Sequence, residues 1–375
     1  MNPRSSFIFS SEMVSKTASM AALLLWTALW LACVDLALNL TFAYPSDPKQ
    51  VKIPTLQQYF EYGRSSEGKL RRMTRADRTK TAPITLAGWY KPLAVNETGD
   101  AIAPNVMTIY GMSHANLLGD AVARTGKAWK VRRITAPGGP LNWAYGAFLR
   151  DTDKSKGKVV VLAIMSVGVP ALTSTTSATF SPDLQIPYTY DRFVLTGESI
   201  KRIAPPHESF EDYTATLYSP GKWRDYLQFL SLYDDYYDPL IFTESVFDYS
   251  ALFRLLRRAF VQHSRQGAHT TALGRTNFNP DSEAVRLANA IVEQFAADAR
   301  AAGLLPVLYV VDNAGYSDTL YRALQPSIAK SAILVLDSNM VASANEPRNY
   351  LPDSHFTPDV DDRLARRLLE LIEGR

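Results

Sequence analysis

Cysteine is nearly absent from this 375-residue chain: the only one, Cys33, lies inside an apolar run, so the remainder offers neither a disulfide nor a cysteine metal ligand. Histidine is scarce as well. The five histidines, at 114, 207, 263, 269 and 355, show neither H-x-x-x-H nor H-E-x-x-H spacing, and no metal or other cofactor is expected. An excess of one charge is also missing. The formal net charge is +3 and no long basic run occurs, which argues against nucleic acid as a partner. Hydrophobic residues at 46% and charged residues at 21% are near globular averages, so most of the chain is expected to bury a core.

What the chain does have is one long hydrophobic run. From Ala18 to Tyr44 it is apolar apart from Asp35, Asn39 and a few hydroxyls. That length suits one membrane crossing, which takes ~20 residues. A cleaved signal peptide is the competing reading, but the run exceeds the usual ~7–15-residue apolar core and no clean A-x-A site follows it. Arg4 and Lys16 before the span are matched by Lys49 and Lys52 after it, so charge does not set the orientation. The default for such an anchor leaves the N-terminus inside and the domain outside. Asp35, near the outer end, is expected to reach the interface or to pair with a partner helix.

The chain then divides into a cytoplasmic tail and anchor over 1–44, a juxtamembrane linker or accessory segment over 45–100, and one domain over 101–375. "YPSDPKQVKIPT" has the Pro and charge content of a linker. "LQQYFEYGRSSEGKLRRM" (56–73) reads as a juxtamembrane helix with a solvated or lipid-facing basic end. Beyond it, strand-like runs alternate with helix-like ones. The strands are "NVMTIY" (105–110), "WKVRRITA", "KVVVLAIMSV" (158–167), "LLPVLYVVD" (304–312) and "SAILVLD" (331–337). This alternation predicts an α/β domain around a doubly wound, flavodoxin-like sheet of five parallel strands. Residues 168–220 break the pattern with Pro, Ser, Thr and Tyr and read as an insertion over one face.

In such a sheet the functional loops lie beyond the carboxyl ends of the strands. Those ends carry Gly111-Met112-Ser113, Pro137-Gly138-Gly139, Met165-Ser166, Asp312-Asn313 and Asp337, and a late loop adds Asp353 and His355. A serine hydroxyl is a poor nucleophile until a base takes its proton; histidine does this near neutral pH, and a carboxylate holds its tautomer. Ser113 has a structural alternative as the N-cap of the following helix. His355 has one as a loop residue bonded to nearby backbone. His114 is expected on the substrate side or as a bystander, and His207, His263 and His269 as structural or surface groups. Asp312 and Asn313 either line the cleft or cap a turn.

"YGMS" (110–113) early in the domain and "DSHF" (353–356) before the last helix resemble the two end motifs of the SGNH (GDSL-type) hydrolase superfamily, with Met112 in place of the Asp of the first. The resemblance spans roughly 104–373. It implies Ser113 as nucleophile, His355 as general base and acid, and Asp353 as the orienting carboxylate. The oxyanion donors it implies are the Ser113 backbone N–H and Gly138 or Gly139. The family's Gly-x-Asn-Asp block is missing, since "AIMS" (163–166) ends the corresponding strand, and Ser166 or Asn142 is left to supply that donor. Losing one such donor typically costs ~10²–10³ in rate.

An anchor joined to such a domain is similar to proteins of bacterial envelope polysaccharide pathways. That implies a single-pass protein of the inner membrane with its C-terminal domain in the periplasm. Its function would be that of a serine esterase or O-acetyltransferase on an extracytoplasmic polysaccharide, partnered by a membrane-bound O-acyltransferase or a polysaccharide synthase. Two alternatives stand beside it: a lipid or acyl-ester hydrolase, and a non-catalytic polysaccharide-binding or assembly protein. Trp143, Tyr188, Tyr190 and Trp223 would suit stacking on sugar rings if they line the cleft, and core packing otherwise.

Overall fold

Among the described residues eight strands form: β1 (Asn96–Thr98), β2 (Asn105–Gly111), β3 (Trp129–Thr135), β4 (Val159–Met165), β5 (Arg192–Thr196), β6 (Ser199–Ile203), β7 (Leu305–Val311) and β8 (Leu334–Asp337). They are seen in a computed structural model that describes residues 11–43, 55–74, 86–100, 102–182, 186–197, 199–273 and 277–374. The expected cytoplasmic tail before residue 11, the linker over 44–54 and the side chain of His269 lie outside the described residues. Six strands make one sheet in the order β1-β3-β2-β4-β7-β8. Its five parallel members are the five expected ones, and counted along the chain they run 2-1-3-4-5, a doubly wound order.

The expected count of five is one short. β1 adds an antiparallel edge to β3, pairing Asn96 with Arg133 and Thr98 with Val131. At three residues and mostly exposed, it is too short for a period to reveal it. Upstream of β1, Trp89 and Tyr90 are buried in the main core, so this part of the linker or accessory segment packs against the domain.

Alternation within β4 separates two layers. Val159, Val161 and Ala163 face one core, which holds helices Ser113–Thr125 and Pro358–Glu373. Val160, Leu162 and Ile164 face the other, which holds helices Leu141–Arg150, Glu283–Ala301 and Thr319–Ser331. A strand covered on both faces needs apolar residues at every position, which is why this run reads as continuous rather than alternating. The insertion lies over the second face as expected. Much of it is packed core: Leu172, Tyr188, Tyr190, Phe193 and Tyr213 join the same cluster. Its β5–β6 hairpin, which turns through Gly197 at a φ of 62°, is short and half-exposed and goes unread in the sequence.

Helix Ser11–Thr41 contains a 23-residue stretch, Ser19–Thr41, long and apolar enough to cross a membrane. The basic end of 56–73 is bonded within the chain, with Lys69 buried and Arg71 and Arg72 half-buried. Two short helices, Thr55–Tyr62 and Ser66–Met73, turn their charges inward: Lys69 donates to the Tyr62 carbonyl at 3.0 Å, Arg71 meets Glu67 at 2.7 Å and Arg72 meets Glu61 at 3.0 Å. Asp35 pairs within its own chain, accepting from the Ser250 hydroxyl at 3.0 Å and the Leu252 N–H at 2.8 Å.

Asp361, in the first turn of helix Pro358–Glu373, is buried with Oδ1 unpartnered, and burial pushes its carboxyl from 3.8 up to about 7. The folded chain therefore holds a proton there that the unfolded chain has released, so this group lowers stability as pH rises from about 4 to 7. Asp361→Asn should raise the thermal midpoint at pH 8 by roughly a few degrees and by less than half as much at pH 5. Equal shifts at both pH values, measured by scanning fluorimetry, would exclude titration of this carboxyl as the cause.

Candidate functional site

β2 ends at Gly111, and the chain turns at once into helix Ser113–Thr125. Only glycine fits at 111, since a Cβ there would sit 2.7 Å from that of Ala163 on β4 and 2.9 Å from that of Ala115. Strand, helix and neighbouring strand are thereby held in close contact, and Ser113 is fixed at the sheet's carboxyl edge. Met112, extended and buried, occupies the N-cap position, so Ser113 is the first helical residue and does not cap the helix. Its hydroxyl lies 2.7 Å from His355 Nε2, across 242 positions of sequence.

His355 Nδ1 faces Asp353 Oδ2 at 3.1 Å, and the His355 N–H donates to Asp353 Oδ1 at 3.2 Å. Contacts from the His355 backbone and ring hold the Asp353 carboxyl below its usual range. The loop is tied on both sides of the histidine. Tyr350 and Phe356 form a β-bridge, the Leu351 N–H donates to the His355 carbonyl at 2.7 Å, and Ser354 adopts a left-handed φ of 69° that turns Asp353 back beside the ring. The three expected residues are thus brought together. They are also open: the Asp353 side chain is 66% exposed and that of His355 26%.

The expected oxyanion residues divide. Gly138 is exposed, with a φ of 61° and open space where a Cβ would project. Gly139 uses its N–H in a turn to the Ala136 carbonyl at 3.1 Å, which leaves Gly138 as the glycine whose amide can face a ligand. The Ser113 N–H is one of the first-turn amides that have no intrahelical acceptor. Asn142 is not available: it is fully buried, and its amide donates to the carbonyls of Asp191 at 3.1 Å and Ser174 at 3.4 Å. Ser166 is likewise buried and turned toward β7, donating to Asp312 Oδ1 at 3.0 Å or the Val311 carbonyl at 3.2 Å. Neither replaces the missing Asn side chain.

His114 faces inward and is buried. Its ring lies 4.9 Å from that of His355, and its Nε2 is 3.3 Å from the Ser354 carbonyl. Burial, then the neighbouring His355, push its pKa down to about 4, so it is neutral at pH 7 and its Nε2–H can donate to that carbonyl. It braces the loop that carries His355. His207 is structural, set among Tyr213 and Tyr226 with Nδ1 2.9 Å from Asp212, and His263 is exposed.

The four aromatics are core. Trp143, Tyr188, Tyr190 and Trp223 are all buried, which removes them from sugar stacking. Two nonetheless shape the site's rim. The Tyr188 hydroxyl donates to the Pro137 carbonyl at 2.8 Å, and the Trp143 ring would lie 3.2 Å from a Cβ at Gly139, so both press on the glycine loop. At the far strand ends, Asp337 caps its own short helix through the Asn339 N–H at 2.9 Å. Asp312 is fully buried beside it, and burial together with the Asp337 charge raises its carboxyl well above the usual range. Asn313 accepts from the Val167 N–H at 3.3 Å. Among the described residues no group of three or more His, Cys, Asp or Glu side chains is placed to hold a metal ion.

A hydroxyl bonded to an imidazole whose far nitrogen meets a carboxylate is an arrangement suited to nucleophilic attack on an acyl carbon. No protein-family model matches this sequence, and no curated protein does so either.

Proposed function

We propose that this chain is an SGNH-type serine esterase or O-acyltransferase, anchored by its N-terminal helix and acting on an extracytoplasmic polysaccharide. The observation that carries the reading is the chain of contacts Ser113 Oγ, His355 Nε2, His355 Nδ1, Asp353 Oδ2, at 2.7 Å and 3.1 Å. The topology agrees with it: the serine follows the first parallel strand, and the Asp-x-His pair precedes the last helix. His355 takes the Ser113 proton as Oγ attacks the ester carbonyl. The oxyanion is met by the N–H groups of Ser113 and Gly138, and His355 then returns the proton to the departing alkoxide. The acyl-enzyme is released to water or to a sugar hydroxyl.

The openness of the trio favours a bulky acceptor over a small one, because sites for small molecules enclose most of the ligand surface. Exposure also bears on Asp353. A buried orienting carboxylate changed to Asn loses about 10⁴ in kcat, whereas water can partly replace an exposed one. Asp353→Asn should therefore lose well under about 10⁴-fold in kcat with KM nearly unchanged. A loss equal to that of His355→Ala would mean that the carboxylate is shielded in the working enzyme.

The test is labelling of the full chain in detergent with a fluorophosphonate, followed by peptide mass spectrometry. One adduct is expected, on Ser113, and none in Ser113→Ala or His355→Ala. A folded wild-type chain that stays unlabelled and turns over no acetyl ester would overturn the catalytic reading. It would favour the non-catalytic polysaccharide-binding reading, which the diversion of Asn142 and Ser166 into structural bonds supports. Turnover of long-chain glycerol esters in preference to acetylated glycans would point to the lipid-ester alternative.

A further inference from the structure

Helix Ala251–Leu273 is built inside out. Its inward side carries Arg254 and Arg257, both buried: Arg257 pairs with Asp248 and donates to the Gly63 carbonyl at 3.2 Å, and Arg254 donates to Asn39 at 2.9 Å. Ala251 and Val261 are buried as well, but its outward side also carries apolar residues. Leu252, Leu256 and Phe260 recur at four-residue spacing, with Leu256 68% and Phe260 43% exposed. Just ahead of it Val246, Phe247 and Tyr249 are exposed too, and Phe247 stacks on Phe253 at 4.3 Å. A helix on the surface of a water-soluble domain shows the opposite polarity.

What adjoins this face is the end of the apolar N-terminal helix. Asp35 accepts from Ser250 and from the Leu252 N–H, so its carboxylate sits at the start of helix Ala251–Leu273 where first-turn amides lack partners. Asn39 holds Arg254 one turn further along each helix, and Phe42 stacks on Phe60 at 4.9 Å. Asp35 lies six residues before the end of the Ser19–Thr41 stretch, about 9 Å at 1.5 Å per residue. Amphipathic helices in a membrane interface bury their apolar side by roughly 5–10 Å. The polar contacts of the span thus place Leu252, where the apolar stripe begins, at the depth where headgroups give way to acyl chains.

We propose that the segment Val246–Phe260 is a second membrane-contact element, lying in the bilayer interface beside the span with Leu252, Leu256 and Phe260 among the acyl chains. This rests on the anchored reading of the N-terminal helix. Its consequence is orientational: a single span leaves a domain free to rotate about the membrane normal and to tilt. A second contact, pinned to the span through Asp35 and Asn39, holds the domain in one attitude.

The single cysteine makes the test direct. In full-length protein reconstituted into phosphatidylcholine–phosphatidylglycerol liposomes, an environment-sensitive fluorophore is placed on native Cys33 or, in a Cys33→Ser background, on Leu256→Cys, Phe260→Cys or Asp225→Cys. Asp225 is an exposed reference on a different helix, Pro220–Tyr233. Nitroxide-labelled lipid should quench the probes at 33, 256 and 260 strongly and leave that at 225 unaffected, and aqueous iodide should show the reverse pattern. Quenching by lipid at 33 with iodide access at 256 and 260 overturns the proposal while the anchor stands. Lack of lipid quenching at 33 overturns the anchor and the proposal together. Shielding at 256 and 260 from both quenchers means that protein covers the stripe, a second copy or a membrane partner, and overturns the lipid assignment.

Discussion

Ser113→Ala and His355→Ala should each cut ester turnover by about 10⁶-fold, and the double variant should fall no further than the worse single one. Non-additivity is the informative part. In the proposed mechanism the hydroxyl attacks only if the imidazole accepts its proton, so removing either group removes the same step. The variants are clean for a structural reason. Met112, not Ser113, holds the N-cap position, and among the described residues the Ser113 hydroxyl bonds to the His355 ring, so alanine at 113 costs the helix no cap. Alanine also keeps the backbone N–H at 113, so residual rate from oxyanion binding should survive in both variants. Turnover retained in Ser113→Ala, or losses that multiply in the double variant, would remove the serine from the chemistry.

The second large effect is on folding. Asp248→Ala should lower stability by about 3–5 kcal/mol, because it strands the buried Arg257 guanidinium without its counter-charge. Asp248 is fully buried and accepts from the Ser65 N–H at 2.9 Å and the Ser65 hydroxyl at 2.6 Å as well as from Arg257. Burial alone would raise its pKa, but these donors outweigh it and hold the carboxyl below its usual range. Its stabilisation is therefore present at neutral pH and lost on acidification below the ordinary value of 3.8. Asp225→Ala, at an exposed position, should stay within about 0.5 kcal/mol. A comparable loss in both variants, by denaturant melts in detergent, would mean that Asp248 carries no special share. The contact matters beyond its energy, since it joins the helices over 55–74 to helix Ala251–Leu273 and so to the end of the span.

Legibility in the sequence followed burial. Strands covered on both faces, such as Val159–Met165 and Leu305–Val311, announce themselves because every position is apolar. β1 and the β5–β6 hairpin do not, because edge strands leave half their residues to solvent and carry no period. Ser113, Asp353 and His355 were readable as candidates from their places at strand and loop ends. The committed bonds of Asn142 and Ser166 were not, because an amide or hydroxyl in sequence carries no sign of which carbonyl it meets. The aromatic residues posed the same difficulty: Trp143 and Tyr188 suit a sugar or a core equally until their exposure is known.

By itself the sequence determined the parallel sheet and the apolar N-terminal helix, since periodicity and length are local properties written residue by residue, and it offered an early serine and a late Asp-x-His only as candidates. Only the tertiary structure decided that Ser113 and His355 meet at 2.7 Å, that His114 turns inward, and that Asp35 spends its charge on helix Ala251–Leu273. Those outcomes depend on long-range packing. Side chains more than 200 positions apart acquire their partners only when the sheet order and the helix layers bring the strand ends and loops together.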